Sequence, residues 1–221
     1  MILVKPSFEI LTDLDGKKMV RNIERAGRIC YKSEDKITDE SAEKFVRGII
    51  KSGHHSVIEH ESLSVKFICD RGVTHEMVRH RLAAYSQEST RYCNYGKDKF
   101  KNQVTYIIPT WSNIEPGVYN KQIDIPSNST IGDQIWFSTM LDLEKQYLEL
   151  LRYGWIPQQA RSILPNSLKT EIVMTCNVRE WRHVFNLRTS MAAHPQIVEV
   201  MKPLQKKLQD MVPVIFDVPE K

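Results

Sequence analysis

The chain has 221 residues, of which 41% are hydrophobic and 26% are charged, and its formal net charge is +4. This length and composition are typical of a globular protein with a substantial core, and they exclude a chain that is disordered over most of its length. The mild basic excess suits small anionic ligands as well as nucleic acid, so charge alone excludes neither class of partner.

The amino-terminal quarter predicts a first strand and two helices. Short apolar runs over Ile2–Val4 and Phe8–Leu11 indicate the first strand, and helical spacing predicts a helix over Lys17–Tyr31. A second helix, which Gly53 can end, has an apolar face. That face consists of Ala42, Phe45, Val46, Ile49 and Ile50.

The middle of the chain predicts two strands, one helix and a long loop. Alternating apolar residues indicate a strand at Leu63–Cys69 and an apolar run indicates another at Val104–Ile108. Thr74 is predicted to cap a helix that carries Met77 and Val78, and Arg79-His80-Arg81 is expected to be helical as well. Prolines, glycine, asparagines and serines fill Ser112–Ser129, which we expect to be a loop.

The carboxyl-terminal part predicts three helices and a strand. Apolar spacing over residues 136–151 indicates a long amphipathic helix, and alternation over Leu168–Cys176 indicates a strand. Asn177 with Glu180 three residues later resembles a helix-capping pair. Pro195 is typical of the first turn of the last helix. The apolar side of that helix holds Ile197, Val200, Met201, Leu204, Leu208 and Met211.

Helices and strands alternate without strict βαβ repetition, and neither a repeat nor a flexible linker divides the chain. We therefore predict a single α+β domain over residues 1–221, with a mixed or antiparallel sheet packed with helices. The last residues, Asp217–Lys221, are expected to form a loose tail.

Cysteine usage and targeting signals bear on the compartment. The four cysteines contain no C-x-x-C pair, and we interpret them as reduced core residues, with a nucleophilic cysteine as the alternative. They are Cys30, Cys69, Cys93 and Cys176. The apolar run before Lys5 is too short for a signal peptide, and no stretch approaches the roughly 20 apolar residues that cross a bilayer. We expect a cytoplasmic protein without a membrane partner.

Common nucleotide and metal motifs are missing. Neither G-x-x-x-x-G-K nor G-x-G-x-x-G occurs, so no standard phosphate loop is predicted. His75, Glu76 and His80 suggest zinc, but residues five apart on a helix lie about 140° apart around the axis. The H-E-x-x-H motif instead puts both histidines on one face, so we predict no metal.

The densest polar cluster begins at Arg79-His80-Arg81 and continues with Ser86, Gln87, Ser89 and Arg91. Consecutive helical side chains point about 100° apart, so the three could serve two neighbouring ligands, or one ligand and a neighbouring subunit. The alternative is a solvated basic helix end.

A second cluster precedes it, with His54-His55-Ser56 followed by Glu59-His60. Histidine rings donate hydrogen bonds and titrate near neutral pH, and a loop in which one histidine caps carbonyl groups is the alternative. Arg161, after the short helical turn predicted at Pro157–Ala160, can bind an anion or form a surface ion pair.

A third cluster lies on the helix predicted from Asn177. Its polar face holds Arg179, His183 and Asn186. Its apolar face holds Trp181, Val184 and Phe185. Arg188 falls near that apolar line, and because an unpaired buried arginine is costly, it must pair with a carboxylate or meet a ligand.

These clusters together resemble one family. Arg79-His80-Arg81, seven residues and then Ser89 match the R-H-R-x₇-S motif of the flavin-dependent thymidylate synthases. His54–His60 is similar to the family's upstream H-x-S-x-x-E-H segment, and Leu164–Arg188 resembles its downstream segment. The resemblance runs from about residue 23 to about residue 197.

The resemblance implies an α+β homotetramer whose active sites are built from several subunits and which binds FAD without a glycine-rich fingerprint. The residues that it assigns to FAD are Ser56, Arg79, His80, Arg81, Gln87, Asn177, Arg179 and His183.

The resemblance also assigns a binding group for deoxyuridine monophosphate (dUMP). That group comprises Glu76, Met77, Val78, Arg79, Gln87, Glu88, Ser89, Thr90, Arg91, Arg161 and Arg188. Glu76 stands where the family often has Gln, and Gln87 where Glu is common. Arginine side chains in this group can offset the phosphate charge by forked, charge-assisted hydrogen bonds.

The implied reaction is the reductive methylation of dUMP to dTMP, in which methylene-tetrahydrofolate gives the carbon and NADPH reduces the FAD. Arg188 is the predicted catalytic residue, because a permanently protonated planar donor can polarise the uracil. Ser89 is predicted to bind substrate, with a nucleophilic role as the alternative that would need an activating base.

Two other functions compete with this one. A non-enzymatic nucleic-acid-binding protein would use the basic cluster, with Tyr85, Tyr92 and Tyr95 stacking on bases. A flavoprotein that acts on another nucleotide is the second. We expect small-molecule substrates and self-association rather than a nucleic-acid partner.

Overall fold

A computed structural model describes residues 1–127 and 129–217. Residue 128 of the predicted loop, and the predicted tail beyond Asp217, lie outside the described residues. The helices are α1 Gly16–Ile29, α2 Ser41–Lys51, α3 Arg71–Met77, α4 Ile131–Arg152, α5 Pro157–Ala160, α6 Val178–Arg188, α7 Pro195–Met211 and α8 Pro213–Phe216. The strands are β1 Ile2–Val4, β2 Ser7–Ile10, β3 Ser62–Asp70, β4 Ala83–Gln87, β5 Thr105–Ile107, β6 Gly117–Val118 and β7 Lys169–Asn177. The α+β prediction is confirmed.

The strands form two sheets. The three-stranded sheet has the order β5-β1-β6, with β1 parallel to β5 and antiparallel to β6. In its register, Ile2 lies opposite Thr105 on one side and Val118 on the other. The four-stranded sheet has the order β2-β3-β7-β4. The mixed pairing of β1 confirms the predicted mixed sheet.

The chain divides into two compact units. The first contains Met1–Ser7, Phe67–Met77 and Ser86–Ile172, and the second contains Phe8–Lys66, Val78–Tyr85 and the chain from Val173 onward. The core of the first unit is built around three aromatic side chains with no exposed surface, Tyr106, Phe137 and Tyr147. In the second unit Trp181 stacks on Phe185, and Phe216 meets Phe185 edge-on.

Helix α6 follows its sequence pattern closely. The Asn177 side chain accepts a hydrogen bond of 2.8 Å from the backbone N–H of Glu180, so the predicted cap is confirmed. The predicted apolar face is buried, and Trp181 Nε1 donates to the carbonyl of Leu63 at 3.1 Å. Arg179, His183 and Asn186 share a face, as predicted, and that face is exposed. The helix therefore holds one side chain row in the core and presents a polar row to solvent.

Two predictions about the segment after β3 are wrong, and one strand there was not predicted. Helix α3 begins at Arg71, where Asp70 Oδ1 accepts from Val73 N at 2.8 Å, and the Thr74 hydroxyl instead donates to a backbone carbonyl within the helix. The helix ends at Met77, so Arg79-His80-Arg81 is not helical. Strand β4 then follows without having been predicted, because Ala83–Gln87 lacks the apolar alternation that identifies a strand from sequence.

The cysteines and the predicted loop fit their interpretations in part. All four thiols are free, and Cys69 and Cys176 are buried, but Cys30 is exposed at the end of α1, so its assignment to the core is wrong. Burial raises the pKa of the Cys69 and Cys176 thiols. Within the described part of the predicted loop lie β6 and a 3₁₀ turn at Gln122–Asp124. No helix among the described residues has the length and apolar character needed to cross a membrane.

Candidate functional site

The first unit brings Arg161 to the polar stretch that follows β4. Arg161 Nη1 donates to the hydroxyl of Thr90 at 3.3 Å, although the two residues are 71 positions apart. Thr90 is buried, whereas Arg91 and Arg161 are exposed. Ser89 Oγ accepts from the backbone N–H of Arg91 at 3.3 Å, which tightens the turn. Arg91 and the Ser89 hydroxyl, together with Arg161, are therefore the polar groups that this region can offer to a ligand.

Gln87 has side-chain partners that a carboxylate could not serve in the same way. Its Nε2 donates to the hydroxyl of Thr74 at 3.1 Å and to that of Thr170 at 3.3 Å. Both threonines are buried and Gln87 is half-buried. An amide supplies two N–H donors while an ionised carboxylate only accepts, so the glutamine is suited to this pocket of hydroxyls. Of the other predicted substrate residues on α3, Glu76 is half-buried and Met77 is fully buried.

Glu88 belongs to an ion-pair network inside the first unit. Lys169 Nζ lies 3.0 Å from Glu88 Oε2 and 2.7 Å from Glu171 Oε1, and the Tyr95 hydroxyl donates to Glu88 Oε1 at 2.8 Å. Burial lowers the pKa of Lys169, but the hydrogen bonds and charges of Glu171 and Glu88 raise it by more. Sequence alone did not reveal this network. It restrains Glu88, the residue that precedes Ser89.

The second unit is organised around His80. Its Nδ1 lies 3.2 Å from Glu180 Oε1, and Arg188 Nε donates to its Nε2 at 3.0 Å. His80 and Glu180 are buried and Arg188 is half-buried. Burial, followed by the positive charge of Arg188, lowers the pKa of His80 below its ordinary value, against the raising effect of Glu180. The hydroxyl of Tyr85 donates to the His80 carbonyl at 2.8 Å, and burial raises the pKa of that hydroxyl.

Most of the other residues predicted to bind flavin are also in the second unit. Arg79 and Arg81 are exposed on either side of buried His80, and Ser56 is exposed on the 3₁₀ helix His55–His60. Arg179 forms an ion pair with Glu59 between two exposed side chains. The ring of His183 lies 5.8 Å from that of His80. These positions offer guanidinium, hydroxyl and imidazole donors to a ligand.

In the second cluster His55 has a structural contact, whereas His54 is exposed to solvent. His55 Nε2 lies 3.3 Å from the carbonyl of Ile50 at the end of α2, which confirms the carbonyl-capping alternative for this residue. Gly53, in the left-handed region at φ 76°, turns the chain between them. His54 is exposed.

A metal interpretation of the His80 cluster is weak on electrostatic grounds. His80, Glu180 and His183 each offer a ligand atom, and these atoms lie within 4.8 Å of one another. However, the Arg188 guanidinium already donates to His80 Nε2, and a fixed positive charge at a ligand atom opposes a second cation. The sequence triplet His75, Glu76 and His80 does not share one helix, because α3 ends at Met77.

The α+β fold and the arginine clusters define the class of this protein, and the family model described as thymidylate synthase complementing protein matches residues 14–214. A flavin-dependent thymidylate synthase of Mycobacterium avium is 32% identical over 221 residues, covering 97% of this chain and 84% of its own. Another from Pyrococcus furiosus is 31% identical over 209 residues, covering 90% and 79%. The chain belongs to the flavin-dependent thymidylate synthase family, and the non-enzymatic alternative is wrong.

A solved structure shares the fold. The UMP/dUMP methylase PolB from Streptomyces cacaoi, bound with 5-Br dUMP, superposes with a TM-score of 0.75 at 23% identity. The alignment covers 98% of this chain and 96% of that one. At this identity the likeness establishes the fold alone.

Proposed function

We propose that this enzyme methylates dUMP to dTMP, with methylene-tetrahydrofolate as carbon donor and NADPH as the source of the hydride. In the balanced reaction, dUMP, methylene-tetrahydrofolate, NADPH and one proton give dTMP, tetrahydrofolate and NADP⁺. The observation that carries the proposal is the placement of Arg161 beside the Gln87–Arg91 stretch, within the family's motif. The names of the relatives support the reaction, and the methylase of like fold is bound with a dUMP analogue.

The dUMP phosphate is assigned to arginine side chains. A nucleotide monophosphate carries about two negative charges at neutral pH. Arg91 and Arg161 of the first unit are exposed and can offset them by forked hydrogen bonds. The family pattern adds Arg79, from the same subunit or a neighbouring one. Ser89 contributes a hydroxyl to the substrate, and Thr90 holds Arg161 in place. The Met77 side chain is buried and the Glu88 side chain is paired with Lys169. These two residues would therefore bind the substrate through their backbone groups.

The FAD is assigned to the exposed donors of the second unit. Its pyrophosphate carries negative charge, which Arg79, Arg81 and Arg179 can offset, and Ser56 and His183 add neutral donors. This donor set fits the cofactor in the absence of a glycine-rich loop. His80, Gln87 and Asn177 complete the set that the family pattern assigns. When bound, FAD supplies the redox chemistry of the reaction, while the protein binds, orients and supplies charge.

Arg188 is the residue that we assign to the reacting base. A guanidinium stays protonated at every physiological pH and donates from a rigid plane. It can therefore polarise the uracil and stabilise negative charge that develops on its imide side. Its Nε donates to His80 Nε2 at 3.0 Å, which restrains the orientation of the group. Neither Cys69 nor Cys176 suits the alternative of a thiolate adduct, because burial keeps both thiols protonated.

We also propose that the enzyme is a cytoplasmic homotetramer of one family domain, with active sites completed by residues of neighbouring subunits. The family model spans 14–214, which supports one family domain. Ile131 and Ile135, one turn apart on α4, are 76% and 63% exposed, which favours a covering partner. Sedimentation would test the assembly: dilution to a proven monomer should release FAD, and a monomer that retained FAD would contradict shared sites.

The test of function is an anaerobic mixture of the protein with dUMP, methylene-tetrahydrofolate, NADPH and FAD, analysed for dTMP. We expect dTMP only when both FAD and NADPH are present. A yellow protein that oxidises NADPH without making dTMP would indicate a flavoprotein acting on another nucleotide. A protein that binds no flavin would overturn the proposal. Arg152→Ala, which changes an exposed partner of Glu149, should form dTMP as the wild type does.

A further inference from the structure

Glu180 has a contact that its place in the sequence does not explain. A glutamate three residues after a helix N-cap often reaches back to the capping residue. Here the Asn177 side chain caps Glu180 N, while Glu180 Oε1 lies 3.2 Å from Nδ1 of His80, 100 residues away. The carboxylate is buried. A buried negative charge is costly unless it is paired, so its partner is part of its role.

The hydrogen bonds around His80 determine its proton. Arg188 Nε always carries hydrogen and donates to His80 Nε2, so Nε2 must be the lone-pair nitrogen. A neutral imidazole then carries its proton on Nδ1, which points at Glu180 Oε1. Protonation of Nε2 would set one N–H against another and add a second positive charge beside Arg188. The Glu180 carboxylate therefore accepts from Nδ1–H of His80, and Nε2 of the same ring accepts from the Arg188 guanidinium.

The surroundings of His80 favour the neutral ring. From α6 it faces Glu180, His183 and Arg188, and from β4 Tyr85 donates to its carbonyl. Burial and Arg188 lower the pKa of His80, whereas Glu180 raises it. Glu180 thus does two separable things. It selects the tautomer by accepting from Nδ1, and it opposes part of the downward pKa shift by its charge.

We propose that Glu180 is a positioning residue for the methylation reaction, fixing His80 as the Nδ1–H tautomer so that Nε2 holds the Arg188 guanidinium in its working orientation. The proposal rests on the proposed function, in which Arg188 meets the uracil. Glu180 itself touches neither substrate nor cofactor in this account. It acts through His80.

Two variants separate the roles of Glu180. Glu180→Ala removes the acceptor, so both tautomers become accessible and Arg188 loses its anchor for part of the time. We expect kcat at pH 8 to fall roughly 10- to 100-fold, because small misplacements of a catalytic group cost that much. Glu180→Gln keeps an oxygen acceptor and should retain kcat within about threefold, since a neutral acceptor still bonds Nδ1–H. Flavin absorbance per subunit should equal that of the wild type in both.

The pH profile distinguishes positioning from a structural role. In the wild type kcat should fall on acidification as His80 protonates, with a midpoint below its ordinary pKa of 6.5. Glu180→Gln removes a charge that favours the imidazolium, so the acid limb should move to lower pH. If Glu180 only stabilised the fold, its substitution would lower kcat by the same factor at every pH and would leave the midpoint of the acid limb unchanged. Glu149→Gln, at an exposed ion pair on α4, is the matched control and should change neither.

A readout independent of turnover is ¹⁵N NMR of histidine-labelled holoenzyme, with the His80 signals assigned by their loss in His80→Gln. We expect a protonated Nδ1 and a lone-pair Nε2 in the wild type, and a mixture of tautomers in Glu180→Ala.

A protonated Nε2 in the wild type, or wild-type kcat and pH profile in Glu180→Ala, would overturn the proposal. So would a stoichiometric divalent ion that Glu180→Ala loses. If Glu180→Ala does not fold, the shift of the acid limb of the kcat profile in Glu180→Gln tests the proposal, and an unshifted limb would overturn it. If the wild type makes no dTMP, the proposed function fails, while the NMR result still tests the tautomer.

Discussion

Arg161 and Thr90 are joined by a 3.3 Å hydrogen bond from the guanidinium Nη1 to the threonine hydroxyl. Thr90 is buried and Arg161 is exposed, so the buried hydroxyl anchors one edge of the guanidinium while the rest can meet an anion. The bond brings a short helical turn at Pro157–Ala160 to the stretch that follows β4. This contact makes Arg161 the most direct test of the assigned phosphate site.

Arg161→Ala should weaken dUMP binding about 10- to 100-fold, because a hydrogen bond to a charged group contributes about 1.5–3 kcal/mol. Arg161→Lys should recover only part of this, since lysine cannot form the forked pair. Calorimetric titration with dUMP measures the affinity. Arg152→Ala should bind dUMP as the wild type does. Wild-type affinity in Arg161→Ala would remove this arginine from the site.

Arg188→Ala should leave FAD bound and lower kcat about 100- to 1000-fold, the usual cost of removing one donor that stabilises transition-state charge. Arg188→Lys should also be severely impaired, because an ammonium cannot keep both the His80 contact and the planar donor geometry. Single-turnover dTMP formation, with flavin absorbance as the occupancy control, checks this. Near-wild-type methylation by Arg188→Ala would defeat the assigned role.

Lys169→Met should destabilise the fold by about 1–3 kcal/mol, because Glu88 and Glu171 lose their shared partner. The pKa of Lys169 is raised in the folded state above its ordinary 10.5, so its contribution is complete below that pH and declines as the pH rises through the folded-state pKa. Urea unfolding of both proteins should therefore show a stability difference that shrinks above about pH 10.5. Lys206→Met, at an exposed pair with Asp210, should change stability little. A difference independent of pH would contradict the ion-pair explanation.

Trp181→Ala should cost about 3–5 kcal/mol of unfolding free energy, as is usual when a buried aromatic side chain is truncated. The indole has no exposed surface, stacks on Phe185 and donates to the Leu63 carbonyl. Trp181→Phe keeps most of the apolar contact but loses the donor, so its cost should be smaller. Denaturant unfolding measures both. Trp155→Ala, at a tryptophan that is 45% exposed, is the control, and an equal loss there would contradict the burial argument.

Cys69→Ala and Cys176→Ala should both keep dTMP formation, because neither thiol is available as a nucleophile. Burial raises the pKa of each, so the thiolate that would attack is scarce at neutral pH. The assay is turnover at saturating substrates, with circular dichroism as the check on folding. A folded variant that forms no dTMP would revive the cysteine mechanism.

Helix α6 shows how far local sequence reaches. The Asn177 cap, the apolar face of Trp181, Val184 and Phe185, and the face that Arg179 and His183 share were all predicted, because each depends on side chains three or four positions apart. The start of α3 was not, since Asp70 competes with Thr74 for the capping role and both are good caps. Strand β4 was missed because its stability comes from its sheet neighbour rather than from its own alternation.

The sequence by itself determined the family, because the motifs can be recognised from the spacing of their residues along the chain. The family pattern in turn gave the residues assigned to flavin and nucleotide. It predicted that Arg188 needs a partner or a ligand. Only the tertiary structure decided that His80, 108 residues away, is a partner of Arg188 and that Glu180 in turn contacts His80. It likewise decided that Thr90 anchors Arg161. Periodicity and caps act within a few residues, whereas such pairs depend on which strands and helices pack together.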